Sequence, residues 1–255
     1  MKVILLGTGS SSGVPMIGCN CNICQSKNPK NKRKRSSIYI EANGVKILVD
    51  TSPDLRQQVL EYGVDKVDAV IFTHAHADHI HGIDELRSFN YLSNKSIPIY
   101  ANQETLAYLK DKFDYCFLPV SDKGWYRPSL VGNQIDSNKR FDINGLVVHP
   151  FLQNHGVTDV LGIRIGDVAY SVDVNFLPES SIEIIKGTKV WIVDCLRYTP
   201  SHSHAHLDLT LQWVKEVNPD RAILTHMSHN FDYDQLKREL PTKIQPGFDG
   251  MVINI

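Results

Sequence analysis

Long apolar runs are missing from this chain. None of its stretches approaches the ~20 residues that a bilayer-spanning helix requires, so no membrane partner is expected. The apolar stretch at residues 3–6 is cut by Gly7 and is too short for the core of a secretory signal, which points to a cytoplasmic protein. An excess of one charge sign is missing too: 27 Lys and Arg face 28 Asp and Glu, for a net charge of −1. Bulk electrostatics therefore draws the chain neither to nucleic acid nor to an anionic surface. Cysteine is scarce, with five in 255 residues, and the odd count argues against a disulfide framework. Linkers, low-complexity tracts and short repeats are absent as well. The length suits a sizeable core, and residues 1–255 read as one domain.

Histidine is abundant by contrast, with eleven in the chain. Four metal-binding side chains crowd into His74-Ala-His76-Ala-Asp78-His79, directly after the strand-like run Ala69-Val-Ile-Phe72. Three imidazoles and a carboxylate within six residues are costly to bury without partners. Together they suit divalent transition metals, and the spacing lets one loop feed two neighbouring ions.

Periodicity predicts strands at 2–6, 37–41, 45–50, 68–73, 97–101, 146–153, 161–165, 168–172, 189–194 and 221–225. Helices are expected at 53–62, 81–92, 103–112, 178–186, 206–217 and 233–240. Asn43-Gly44 marks a hairpin. Residues 113–140 have no readable period. Early strands pair as hairpins and later ones alternate with helices, an α/β pattern. Three further ligand candidates end predicted strands: His155, Asp173 (a carboxylate able to bridge two ions) and His226. His149 rivals His155. Cys19-Asn-Cys21-Asn-Ile-Cys24 offers three thiolates, to which tetrahedral zinc needs a fourth ligand. Cys116 and Cys195 read as ordinary buried thiols.

The order His-x-His-x-Asp-His, lone His, lone Asp, final His resembles the metallo-β-lactamase fold family. That resemblance implies an αββα sandwich of two mixed sheets flanked by helices. It assigns His74, His76 and His155 to one metal, Asp78, His79 and His226 to a second, and Asp173 to the bridge. Further stretches are similar to the PhnP-like phosphodiesterases of that family, the cyclic phosphodiesterases of the carbon–phosphorus lyase pathway. They are Leu6-Gly-Thr-Gly-Ser10, Gly13-Val-Pro15, Gly18-Cys-x-Cys-x-x-Cys24, Asp194-Cys195, His206-x-Asp208-Leu209, Thr225-His-x-Ser-His229 and Gly247-Phe-Asp-Gly-Met251. The similarity makes His229 the fourth ligand of a structural zinc on Cys19, Cys21 and Cys24. It marks His206, with His202 and His204 as competitors, as the residue near the scissile phosphate, and Asp78 as the other catalytic position.

The resemblance implies hydrolysis of small, preferentially cyclic phosphodiesters by a hydroxide held between two ions, Mn²⁺ or Zn²⁺. A nucleic acid polymer is disfavoured as substrate, and a homodimer is compatible with the reading. A tRNA 3′-processing nuclease, a thioesterase or lactonase, and a non-catalytic metal-binding carrier share the fold and stand as rivals. The basic run Lys27, Lys30, Lys32, Arg33, Lys34 and Arg35 reads as a solvated loop rather than an RNA patch. Arg87 reads as a surface salt bridge or a phosphate contact. Gly7-Thr-Gly9 lacks the spacing of a nucleotide-binding loop and reads as a tight turn.

Overall fold

The structure is a computed structural model that describes residues 1–120, 124 and 126–255. Six strands build most of the first sheet: β1 (Lys2–Gly7), β2 (Ser37–Ala42), β3 (Val45–Val49), β4 (Ala69–Ile71), β5 (Ile97–Ala101) and β6 (Leu130–Gln134). The second sheet holds β7 (Phe141–Ile143), β8 (Leu146–His155), β9 (Thr158–Ile165), β10 (Val168–Ser171), β11 (Val190–Asp194), β12 (Arg221–Thr225) and β13 (Ile244–Pro246). The last strand, β14 (Val252–Asn254), returns to the first sheet beside β1. Each sheet thus has seven strands, in the orders β14-β1-β2-β3-β4-β5-β6 and β13-β12-β11-β10-β9-β8-β7. The helices are α1 (Leu55–Glu61), α2 (Ala77–Ile80), α3 (Leu86–Ser93), α4 (Gln103–Lys112), α5 (Glu179–Ile185), α6 (Leu207–Val217) and α7 (Tyr233–Glu239).

Strand alternation explains the layers. In β1, Val3 and Leu5 face the second sheet, packing in one cluster with Ile38, Ile47, Ile163, Tyr170 and Ile192. Ile4 and Leu6 face outward and pack with Leu55, Leu86, Phe89 and Leu106 from α1, α3 and α4. On the far side Trp191, Val193 and Leu224 pack against Ile182, Trp213, Val214 and Leu236 from α5, α6 and α7. Strands buried on both faces must be apolar throughout, which is why β1, β4 and β11 read as continuous apolar runs. The result is the expected αββα sandwich of two mixed sheets flanked by helices.

Polarity of the strands positions the site. β3 to β6 run parallel, and so do β10 to β13. Their carboxyl ends converge on one edge, the usual place for chemistry in such sheets. Asp50, the 73–79 segment, Asp173, Asp194 and His226 all follow strands at that edge.

Several expected boundaries shift for identifiable reasons. The helix expected at 81–92 is broken: α2 starts inside the histidine motif, a 3-10 turn covers Ile83–Glu85, and α3 begins at Leu86. Gly82 makes the break. Its N–H donates to the Thr51 carbonyl at 2.8 Å, and a Cβ there would lie 2.1 Å from the Ser52 oxygen. The expected helix at 53–62 is shorter, Leu55–Glu61, with Gly63 at φ 67° behind it. The unreadable stretch contains β6, whose Gly132 admits the Leu106 side chain; its residues 121–123 and 125 lie outside the described residues. Among the described residues no helix is long and apolar enough to cross a membrane.

Candidate metal centre

Asp173 lies at the middle of the site. It lies just past the end of β10 with φ 53°, and only 2% of its surface is exposed. Its Oδ2 is 3.4 Å from His74 Nε2 and 3.5 Å from His155 Nε2. Its Oδ1 is 3.0 Å from His226 Nε2 and 3.5 Å from His79 Nε2. Asp78 Oδ2 completes the second group, 3.3 Å from His79 Nε2 and 3.5 Å from His226 Nε2. His76, exposed, completes the first, its ring centroid 4.5 Å from His74 and 5.1 Å from His155. Two donor sets, His74–His76–His155 and Asp78–His79–His226, therefore meet at one carboxylate that turns an oxygen to each.

Outer contacts orient these donors. Asp50 accepts from His79 Nδ1 at 2.7 Å and from both the N–H and the hydroxyl of Thr73 at 2.8 Å. Because that hydroxyl gives its proton to Asp50, its contact with His74 Nδ1 at 3.0 Å is one it accepts. His155 Nδ1 donates to the Ser203 carbonyl at 2.5 Å. All three rings thus keep Nε2 as the free lone pair facing Asp173, as metal-ligating imidazoles do. Asp50, Asp173 and His226 hold φ values of 62°, 53° and 55°, a strain of about 1–3 kcal/mol each that clusters at functional sites.

The donor chemistry fits divalent cations. His74 Nε2, His79 Nε2 and Asp173 Oδ1 are buried with no hydrogen-bond partner among the described residues, a costly state that a cation relieves. Burial drives the His74 imidazole down to about 4. Burial opposes charge on His226 as well, yet the Asp173 carboxylate prevails and raises it to about 10, a demand for positive charge that a metal meets.

A second group gathers Cys19, Cys21, Cys24 and His229, their donor atoms all within 4.8 Å of one another. His229 Nδ1 lies 3.4 Å from the sulfurs of Cys19 and Cys21. The Cys24 N–H, then His229, pull the Cys21 thiol down to about 6, favouring the thiolate a metal needs. All five cysteines are free, with Cys116 and Cys195 buried as expected.

A model of the beta-lactamase superfamily domain matches residues 45–227. The chain belongs to the metallo-β-lactamase superfamily. It is similar, at 32% identity and a TM-score of 0.92, to a crystal structure described as a new diphosphatase from the PhnP family, covering 99% of this chain and 96% of that one. It is 35% identical over 254 residues to an octanoyltransferase of Porphyromonas gingivalis, covering 98% of this chain and 51% of the relative. The chain thus spans about half the length of that curated relative. Human short-form tRNase Z shares the fold, with a TM-score of 0.72 at 17% identity over 100% of this chain and 99% of that one.

Within this superfamily site the structure distinguishes among the candidate histidines. His149 sits mid-strand in β8 opposite Arg164 and joins no donor set, whereas His155 does. His206 precedes α6 as its N-cap, and its ring makes no hydrogen bond or ring contact among the described residues. His204 instead stands among the donors. Its ring stacks on His226 at 4.9 Å and meets His155 edge-on at 4.5 Å, while Nδ1 pairs with Asp194 Oδ2 at 3.1 Å. Asp50 is absent from the expected site residues, and Asp194 enters there only through the Asp194-Cys195 similarity; each lies at the end of a buried apolar strand.

The basic run is solvated only in part. Arg33 is 2% exposed, and its guanidinium donates to the carbonyls of Ser228 at 3.2 Å and Phe231 at 2.9 Å, bracing the turn that carries His229. Lys34 pairs with Glu61 at 2.7 Å, Arg35 with Asp54 at 2.6 Å, and Lys32 donates to the Cys24 carbonyl at 2.9 Å. Lys30 lies over the Tyr233 and Phe248 rings at 4.6 Å. Lys27 stays exposed, while the other basic residues of the run have these internal partners. Arg87 donates to the Tyr126 carbonyl at 3.2 Å and makes no salt bridge among the described residues.

Proposed function

We propose that the chain hydrolyses small phosphodiesters, cyclic ones preferentially, using two divalent cations held by His74, His76 and His155 and by Asp78, His79 and His226, with Asp173 shared. The observation that carries this reading is Asp173, with one carboxylate oxygen turned to each donor set. When bound, a paired-cation centre of this kind supplies an activated water and neutralises charge on the phosphoryl oxygens. The chain supplies orientation through Asp50, Thr73 and the Ser203 carbonyl, and a proton for the departing oxygen. We assign that proton to His204 in place of His206, since Asp194 accepts from its Nδ1 and a protonated ring so held presents its Nε2–H as the donor. Cys19, Cys21, Cys24 and His229 form a site closed by four protein ligands, which fits structural zinc.

The likeness to a PhnP-family diphosphatase favours one second reading, attack on a diphosphate, because the same centre serves either phosphorus bond. A panel of 2′,3′-cyclic nucleotides, bis(p-nitrophenyl) phosphate, nucleoside diphosphates, an acyl thioester and precursor tRNA, run with Mn²⁺ or Zn²⁺, separates them. The cyclic and aryl diesters should turn over fastest. Preference for diphosphates or for the thioester overturns the reading.

His204→Ala should slow a 2′,3′-cyclic nucleotide by about 10²–10⁴-fold, the usual worth of a general acid. Bis(p-nitrophenyl) phosphate should be nearly unaffected, because nitrophenolate leaves without a proton. The same contrast appearing in His206→Ala and not in His204→Ala would return the role to His206.

A further inference from the structure

A cavity of about 230 Å³ opens beside the first donor set, walled by His74, Ala75, His76, Glu104, Tyr108 and Asp159. It shares its wall with the site through His74 and His76. Glu104 stands in the first turn of α4, with Tyr108 one turn on along the same face. Asp159 comes from the start of β9, where the register sets Thr158 opposite His155 and Asp159 opposite Asn154.

Two carboxylates, Glu104 and Asp159, therefore line a space that adjoins the first donor set. Glu104 makes no hydrogen bond or ion pair among the described residues. Asp159 accepts one, from Asn154 Nδ2 at 3.2 Å. Lys112, 5.9 Å from the Tyr108 ring centroid, is already engaged with Asp111 at 2.9 Å. The volume lies below the ~300–1,000 Å³ of a drug-sized pocket, so its occupant is compact.

We propose that this cavity is the subsite for the retained alcohol arm of the phosphodiester. It accepts a compact arm that is cationic or rich in hydroxyl donors, and it rejects an arm carrying a second anion. The inference rests on the phosphodiester reading and narrows its substrate class. Acceptors on two walls complement an ammonium or a diol, while a carboxylate or phosphate there meets like charge.

Three p-nitrophenyl phosphodiesters with one leaving group and different arms (choline, glycerol and glycerate) test it. Wild-type protein should favour the choline arm over the glycerate arm in kcat/KM. Glu104→Gln should narrow that ratio by roughly 5–10-fold, the effect of one charge at short range in a partly solvated cleft, and Glu104→Lys should narrow it further or reverse it. Glu104 is exposed in a first helical turn, so both variants are expected to fold, and their melting curves check this. A fall confined to the choline arm identifies recognition of a cation, and a fall shared with glycerol identifies recognition of hydroxyls; both support the subsite. Ratios unchanged in both variants overturn it and leave phosphodiester hydrolysis standing. Wild-type protein that turns over none of the three overturns the phosphodiester reading and the subsite with it.

Discussion

Asp173→Asn should lose at least ~10³-fold in turnover and release cation from both donor sets, beyond the ~10–100-fold typical of removing an outer partner. The reason is geometric. One carboxylate serves both sets, its Oδ2 near His74 and His155 and its Oδ1 near His79 and His226. An amide keeps the shape but removes the negative charge that the two proposed cations would share. Asparagine also tolerates the left-handed backbone at φ 53°, so the substitution spares the fold. Metal content by elemental analysis and kcat on bis(p-nitrophenyl) phosphate check it together. Full occupancy of both sets in the variant excludes the bridge.

Cys21→Ser acts on stability before chemistry. The thiolate group joins the 19–24 loop to His229, and Met227 N donates to the Thr8 carbonyl at 2.8 Å in the same neighbourhood. Metal binding there would be folding free energy, because an ion would tie the 19–24 loop to His229, far along the chain. Loss of one sulfur should cost on the order of 3 kcal/mol, which lowers Tm by roughly 6–12 °C for a chain of this size. One equivalent of zinc should leave while the His and Asp donor sets still fill. Unchanged Tm and unchanged zinc content would refute a structural role for this site.

What the sequence revealed about this site depended on locality. The histidine motif was legible because four donors fall within six residues after a buried apolar strand. His155, Asp173 and His226 were legible as strand ends, since parallel strands deliver their carboxyl ends to one edge. The sandwich itself followed from the ligand order more than from periodicity, because strands buried on both faces lose alternation. Residues whose role depends on long-range packing were hidden. Asp50 matters only because β3 lies beside β4, which sets it against Thr73 and His79. His204 and His206 are two residues apart, and only the fold shows that His204 stacks on His226. Arg33 looked solvated because composition reports charge and not the carbonyls of Ser228 and Phe231 that enclose it. The short strands β7, β13 and β14 were missed, being three residues long and stabilised by pairing rather than by propensity.

The central claim is a paired-cation centre that hydrolyses phosphodiesters. Chelator-stripped protein titrated with Zn²⁺ or Mn²⁺, with bound metal and bis(p-nitrophenyl) phosphate hydrolysis followed together, tests it most directly. Activity should rise only as two equivalents bind beyond the one expected at Cys19, Cys21, Cys24 and His229. Full activity at one such equivalent, or no phosphodiester turnover at full loading, would contradict it.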